Sequence, residues 1–155
     1  METLESETRA HIRRAAIEEA NDIADVWLRS RRASIPAIPP PVHSDDDVRD
    51  HFANVVLTRE VWVVDVESVV VALLVLRDDW IDQLYVDPEW TGRGLGSKLL
   101  VHAKTLRPSR LDLWAFQSNT GARRFYERHG FVAVAETEGD NEEGAPDVQY
   151  RWTSA

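Results

Sequence analysis

The sequence predicts an α+β fold: a mixed, mostly antiparallel sheet flanked by helices. Three observations carry this expectation. Two amphipathic helical stretches come first, a hairpin of Val- and Leu-rich strands follows, and strands then alternate with helices, so that part of the sheet must turn parallel. Ala20, Ile23, Ala24, Trp27 and Leu28 fall on one face at helical spacing and predict a helix over about residues 17 to 31. The prolines between Ile35 and Val42 stop it. A second helix is expected to start at Ser44 and the Asp45, Asp46, Asp47 cluster, whose side chains suit an N-cap, with Val48, Phe52, Val55 and Val56 inward. Val61 to Val66 and Val69 to Leu76, separated by Glu67-Ser68, read as a hairpin of well-covered strands. Trp80 to Val86 is a third strand, with Trp80, Asp82, Leu84 and Val86 on one face and Ile81, Gln83 and Tyr85 on the other; Pro88 ends it. A helix from Gly94 to about Thr105 buries Leu95, Leu99, Leu100 and Ala103, and Leu111 to Phe116 is the next strand. Ala122, Phe125, Tyr126 and His129 mark a short helix closed by Gly130, and Phe131 to Ala135 and Val148 to Trp152 are two strands joined by an acidic loop.

Composition narrows the function. A chain of 155 residues, 43% hydrophobic, is the size of one domain, here residues 1–155, and long enough for a core without disulfide or metal staples. The absence of cysteine removes thiol nucleophiles, disulfide frameworks and zinc-thiolate sites. The five histidines show no metal-ligand spacing, so no metal is expected. The longest apolar run, Val69 to Leu76, is eight residues, well short of a membrane span, and the first thirty residues hold no apolar signal core. A cytoplasmic protein without a membrane partner is the expectation. The net charge of -9 argues against nucleic acid as a partner. Charge is segregated, however: Thr91 to Gly130 carries +6 and the remainder -15, which suggests an anionic ligand on the basic segment and a cation facing the acidic part.

The most informative stretch is Val86 to Leu100, where a strand ends and Gly92, Gly94 and Gly96 lead directly into a helix. Glycines there let the backbone turn tightly and approach a ligand closely. The unpaired N–H groups and positive dipole of the helix start suit a phosphate or pyrophosphate, with Arg93 and Lys98 adding charge. Spacing excludes the dinucleotide fingerprint, which would need glycine at Ser97 or Leu99, and no P-loop pattern occurs.

The run Thr91-Gly92-Arg93-Gly94-Leu95-Gly96 resembles the [QR]-x-x-G-x-[GA] signature of the GCN5-related N-acetyltransferase (GNAT) superfamily, departing from it only at Thr91. A second stretch, Leu113 to Phe131, is similar to a later motif of that family through Asn119, Ala122, Tyr126, Glu127, Gly130 and Phe131. The resemblance covers the chain from about Val61 onward.

It implies a fold with a splay between two parallel central strands, Trp80 to Val86 and Leu111 to Phe116, that admits acetyl-CoA as cosubstrate, and transfer of the acetyl group to a primary amine by direct attack in a ternary complex. It also implies roles. Val86 supplies backbone hydrogen bonds to the pantetheine, and Leu84 N–H stabilises the thioester oxyanion. Gly92, Arg93, Gly94, Gly96 and Ser97 hold the pyrophosphate, Asn119 bonds the cofactor arm, and Tyr126 stands near the sulfur and protonates the leaving thiolate. Asp82 is the candidate base, with a satisfied structural carboxylate as its alternative, and Trp80 is expected to line the acceptor pocket. The acidic loop Glu136 to Asp147 either closes over the acceptor channel or is a solvated turn. The acceptor, small molecule or peptide, stays open, and the resemblance allows a homodimer. A non-catalytic acyl-CoA-binding or interaction domain of the same fold is the rival reading.

Overall fold

A computed structural model describes residues 9–154 of the chain. Its seven strands form one sheet in the order β1-β2-β3-β4-β5-β7-β6. In chain order the strands are β1 (Ala10–Arg14), β2 (Glu60–Val66), β3 (Val69–Arg77), β4 (Trp80–Val86), β5 (Arg110–Phe116), β6 (Val132–Glu136) and β7 (Asp147–Thr153). The helices are α1 (Ala20–Ala33), α2 (Asp45–Thr58), α3 (Leu95–Leu106) and α4 (Thr120–Arg128). Every ladder is antiparallel except that between β4 and β5. The α+β class and the mixed sheet are therefore as the sequence predicts.

Two apolar layers sandwich the sheet. Ile23, Ala24, Val26 and Leu28 of α1, with Val48, Phe52 and Val55 of α2, pack on one face against Val63, Leu73 and Val75. Leu95, Leu99, Leu100 and Ala103 of α3 cover the other, against Val64, Ala72, Leu74 and Leu76. Strand β3 contributes to both layers and is buried along nearly its whole length, because its Val and Leu run has no polar face to give to solvent. The Ser44 hydroxyl caps α2 by accepting from Asp47 N at 3.2 Å, as the sequence suggests. Among the described residues no helix is long and apolar enough to cross a membrane.

Two features differ from the sequence reading. The first is β1, which that reading omits. Its residues, AHIRR, show weak alternation, but pairing with β2 from Ala10↔Val66 to Arg14↔Trp62 turns Ala10 and Ile12 into the core. Arg13 is neutralised between Asp65 and Glu19. The second is a β-bulge in β4. The register runs Leu76↔Ile81 and then Val75↔Gln83, so Asp82 has no partner opposite it. The side-chain period shifts there. Ile81, Leu84 and Val86 pack in the α3 layer, Tyr85 packs in the α1/α2 layer, and Gln83 accepts from Trp27 Nε1 of α1 at 3.0 Å. Asp82 is thus not on a common face with Leu84 and Val86, and Trp80 stacks on Trp114 with ring centroids 6.2 Å apart.

Candidate active site

The site begins where the sheet comes apart. β4 and β5 pair only at Trp80↔Asp112 and Ile81↔Leu113, whereas β5 continues along β7 to Phe116↔Asp147. Beyond Ile81 the two parallel strands diverge as a wedge. Asp87 N donates to Val71 O on β3 at 2.8 Å, so by the two-residue alternation of a strand the main-chain groups of Tyr85 also face β3. Those of Leu84 and Val86 face β5, on the side where the ladder has ended.

The turn after β4 is built on Asp87. Its buried carboxylate accepts from Glu89 N at 3.1 Å and from Arg29 of α1 at 2.5 and 3.0 Å, which ties the turn to α1. Thr91, the position that departs from the signature, donates its hydroxyl to Pro88 O at 3.1 Å. Gly92 and Gly94 both sit at φ +77°, a left-handed conformation that side chains disfavour. Gly94 N-caps α3 without any side-chain cap, so the first-turn amides of Leu95, Gly96 and Ser97 are left for a ligand. At Gly96 a Cβ would lie 3.4 Å from the Phe125 ring, the edge of ordinary contact, so the helix start packs closely on α4.

The charges around this cradle are partly committed. Arg93 lies over the Trp90 ring, 4.5 Å from its centroid. Lys98, expected to add charge, instead donates to Ala10 O at 3.0 Å and fastens β1. The Ser97 hydroxyl is 3.0 Å from His129 Nε2. Burial, followed by the charges of Lys104 and Arg128, pushes His129 below the usual histidine range and keeps its ring neutral near pH 7.

Helix α4 brings Tyr126 to the wedge. Asn119 caps the helix, its Oδ1 accepting from Ala122 N at 3.2 Å, and its amide NH2 remains for another partner. The helix is held to β7 by a short network: Arg123 Nε donates to the Tyr150 hydroxyl at 3.0 Å, which donates to Glu127 at 2.8 Å. Tyr126 packs against Phe125 and Phe131, with centroids at 5.3 and 5.6 Å, and its hydroxyl bonds to none of the described residues. Burial, reinforced by the neighbouring Tyr85, drives its pKa well above the usual phenol value.

A cavity of about 290 Å³ follows, lined by Leu84, Val86, Gly96, Asn119 and Tyr126 together with Ser30 and Ser34 of α1. A smaller one of about 90 Å³ joins Leu84, Asn119 and Tyr126 to Asp82 and Gln83. Of the expected cofactor residues, Leu84, Val86, Gly96, Asn119 and Tyr126 line these cavities, Gly92, Arg93, Gly94 and Ser97 line neither, and Asp82 borders the smaller one. Arg77 engages that carboxylate at 3.1 and 3.3 Å. On the α1/α2 side, Gln83 also borders a cavity of about 200 Å³ with Trp27, Arg31, Phe52, Glu142 and Glu143. Of the acidic loop, Glu143 turns inward and lies 3.7 Å from Arg31, while Glu142 stays exposed and reaches His43 Nε2 at 3.2 Å. The sequence reading passed over Arg31, Gln83 and Tyr85. For Arg31 a signal existed, since an arginine four residues after Trp27 falls on the apolar stripe of α1.

A strand-glycine turn-helix cradle next to a splayed parallel pair, with a tyrosine at the wedge, is the architecture of an acyl-CoA-dependent acetyltransferase, and the chain belongs to the GNAT superfamily. Residues 58–133 match the family model described as an acetyltransferase (GNAT) domain. The chain is similar to the peptidyl-lysine N-acetyltransferase YjaB of Salmonella typhimurium, with 28% identity over 132 residues, covering 84% of this chain and 89% of the relative. It is 35% identical over 57 residues to a spermine/spermidine N(1)-acetyltransferase of Bacillus subtilis, covering 34% of this chain and 38% of the relative. The solution structure of apo-form YjaB from Escherichia coli superposes with a TM-score of 0.77 at 25% identity, covering 94% of this chain and 99% of the other. The protein is an N-acetyltransferase of this family, whose acetyl donor is acetyl-CoA.

Proposed function

We propose that the wedge between β4 and β5 is the transfer site and that an amine attacks the donor there directly, with both substrates bound. Acetyl-CoA supplies an activated thioester and a diphosphate that fits the turn: three unpaired helix-start amides and two left-handed glycines form a cradle for it. In this reading the amides of Leu95, Gly96 and Ser97 hold the diphosphate, with Gly92 and Gly94 setting the path of the main chain and Arg93 adding charge. Val86 and the Asn119 amide hold the arm, and Leu84 N–H receives the negative charge that develops on the thioester oxygen, a preorganised contact of about 3 kcal/mol.

The single observation that carries this reading is Tyr126, which lines the same two cavities as Leu84 and Asn119 and whose hydroxyl bonds to none of the described residues. A raised pKa keeps that hydroxyl protonated, so it can donate to the departing thiolate. Asp82 takes the proton that the amine loses. A second reading of Asp82 is favoured by its pair with Arg77: a carboxylate that pins the bulge. The relatives' names, a peptidyl-lysine enzyme and a polyamine enzyme, support an amine acceptor for this chain.

The test is release of free CoA thiol against a panel of amines, with Tyr126→Phe alongside. Amine-dependent release that falls sharply in the variant, with CoA affinity unchanged, is the expected result. Binding of acetyl-CoA with no release on any amine would overturn the transfer reading. For Asp82→Asn a lower rate at constant CoA affinity supports the base, and parallel loss of rate and thermal stability supports the bulge-pinning role.

A further inference from the structure

Arg31 is the most deeply buried cation of the described residues, with 5% of its surface exposed. Its guanidinium is packed against rings, 4.8 Å from the Trp27 centroid and 5.8 Å from that of Phe116, and the Tyr85 hydroxyl is a hydrogen-bond partner. Such packing fixes position but supplies few acceptors. Nη2 makes one stretched hydrogen bond to Pro39 O, at 3.4 Å, and lies 3.7 Å from Glu143. Nε has no hydrogen-bond partner. A guanidinium carries five donors in a planar fork suited to two oxygens at once, and a buried one with unmet donors is costly unless a ligand completes it.

Its place in the fold says what that ligand does. Arg31 lines the 200 Å³ cavity, and Gln83 borders both that cavity and the 90 Å³ one that Tyr126 lines. A group that Arg31 binds therefore lies across Gln83 from the cavity of the proposed proton donor. We propose that Arg31 recognises a carboxylate on the acceptor, so that the preferred acceptor is a small zwitterion, an amino acid whose side-chain amine reaches the wedge past Gln83 while its carboxylate rests on the guanidinium. The charge of the cavity fits this. Asp47, Glu142 and Glu143 repel a simple anion, and a simple polyamine leaves the Arg31 donors unmet. Glu143 is then a loose stand-in that yields the guanidinium to the substrate. The proposal rests on the wedge being the transfer site, and it separates this chain from the polyamine-acetylating relative.

The experiment compares free amino acids that carry a side-chain amine with their amides, and with spermidine, as ligands of the CoA-bound protein by calorimetry and as acceptors by thiol release. The wild-type protein is expected to prefer the carboxylate member of a pair by about 10- to 100-fold, the range for a hydrogen bond to a charged group. Arg31→Met, which keeps the apolar stem, brings that ratio close to one. Glu143→Gln, which leaves Arg31 in place, tightens amino-acid binding and keeps the proposal testable if the methionine variant does not fold. Equal binding of acid and amide by the wild type, an unchanged ratio in Arg31→Met, weaker amino-acid binding in Glu143→Gln, or preference for spermidine over every zwitterion would overturn it. Thiol release with spermidine alone sinks this proposal and leaves the transfer site standing. Binding of amino acids through Arg31 without release sinks the transfer reading instead.

Discussion

Tyr126 shows how one side chain acquires its proposed task from its surroundings. A phenol in water begins to ionise near pH 10, and at that point it loses the proton it would donate. Burial disfavours the phenolate, so Tyr126 stays protonated through the alkaline range. The expected pH profile rises as the acceptor amine deprotonates and shows no fall up to about pH 10; a descending limb that disappears in Tyr126→Phe would contradict this. With Phe at this position, kcat should drop by about 100-fold, typical of losing a general acid, while the Kd for CoA stays constant. Asp82 is a contrasting case, because its geometry comes from the bulge as much as from its chemistry. An unpaired residue between Leu76↔Ile81 and Val75↔Gln83 needs a hold, and Arg77 provides it. Arg77→Ala tests this: a structural hold predicts lower thermal stability with little change in kcat.

At the scale of an element, the turn into α3 is the clearest case of backbone conformation limiting sequence. Gly94 has open space around it, so a Cβ there would meet nothing within 4 Å, and the constraint is its left-handed φ alone. Gly94→Ala is expected to cost about 1 kcal/mol in the cradle conformation, read as an approximately fivefold weaker CoA Kd by calorimetry. Gly96 is the opposite case: its backbone is ordinary, and a Cβ would come to 3.4 Å from Phe125, a ring that can give way slightly. Gly96→Ala should therefore bind CoA nearly as well as the wild type. Both outcomes follow from φ and space, and the reverse order of the two variants would show that the cradle is shaped differently. Helix α4 depends on its fastening to β7, since the Arg123–Tyr150–Glu127 network fixes the helix that carries Tyr126.

For the whole molecule, the wedge requires that β4 and β5 be firmly joined at one end and free at the other. The joined end is closed by Asp112 N, which donates to Asp79 O at 2.8 Å, while the Asp112 carboxylate fastens β5 to β7. Asp112 is fully buried opposite Trp80 on β4 and accepts from Arg110, Arg151 and Gln149 at 2.8 to 3.3 Å. Burial alone would raise its pKa, but the hydrogen bonds from Arg151 and Arg110 outweigh it and hold the carboxyl below the usual aspartate range. A carboxyl depressed in the folded state contributes stability that is complete above its unfolded pKa of about 4 and is lost as pH falls toward its folded value. Denaturant melts at pH 7 and at successively lower pH should show that loss, and Asp112→Asn should remove about 2 kcal/mol at pH 7 while flattening the acid limb. An unchanged acid limb would mean that other carboxylates govern it.

What the sequence determined by itself was local. The glycine turn, the cap at Ser44, the Val-rich hairpin and the tyrosine of α4 are all written in runs of a few residues, where φ preference, capping and periodicity act without help from the rest of the chain. The resemblance to the acetyltransferase family rests on two such runs. Tertiary structure decided what depends on distant partners. β1 is a strand because β2 offers it an edge, and Lys98 serves β1 rather than an anion because Ala10 lies within its reach. Asp82 leaves the face of Leu84 because register with β3 slips by one residue, an event to which a two-residue period is blind. Arg31 becomes a buried, poorly matched cation only when Trp27, Phe116, Tyr85 and the loop bearing Glu143 converge on it. Burial and pairing are sums over the whole chain, so the wedge and the charges around it could emerge only once the sheet was assembled.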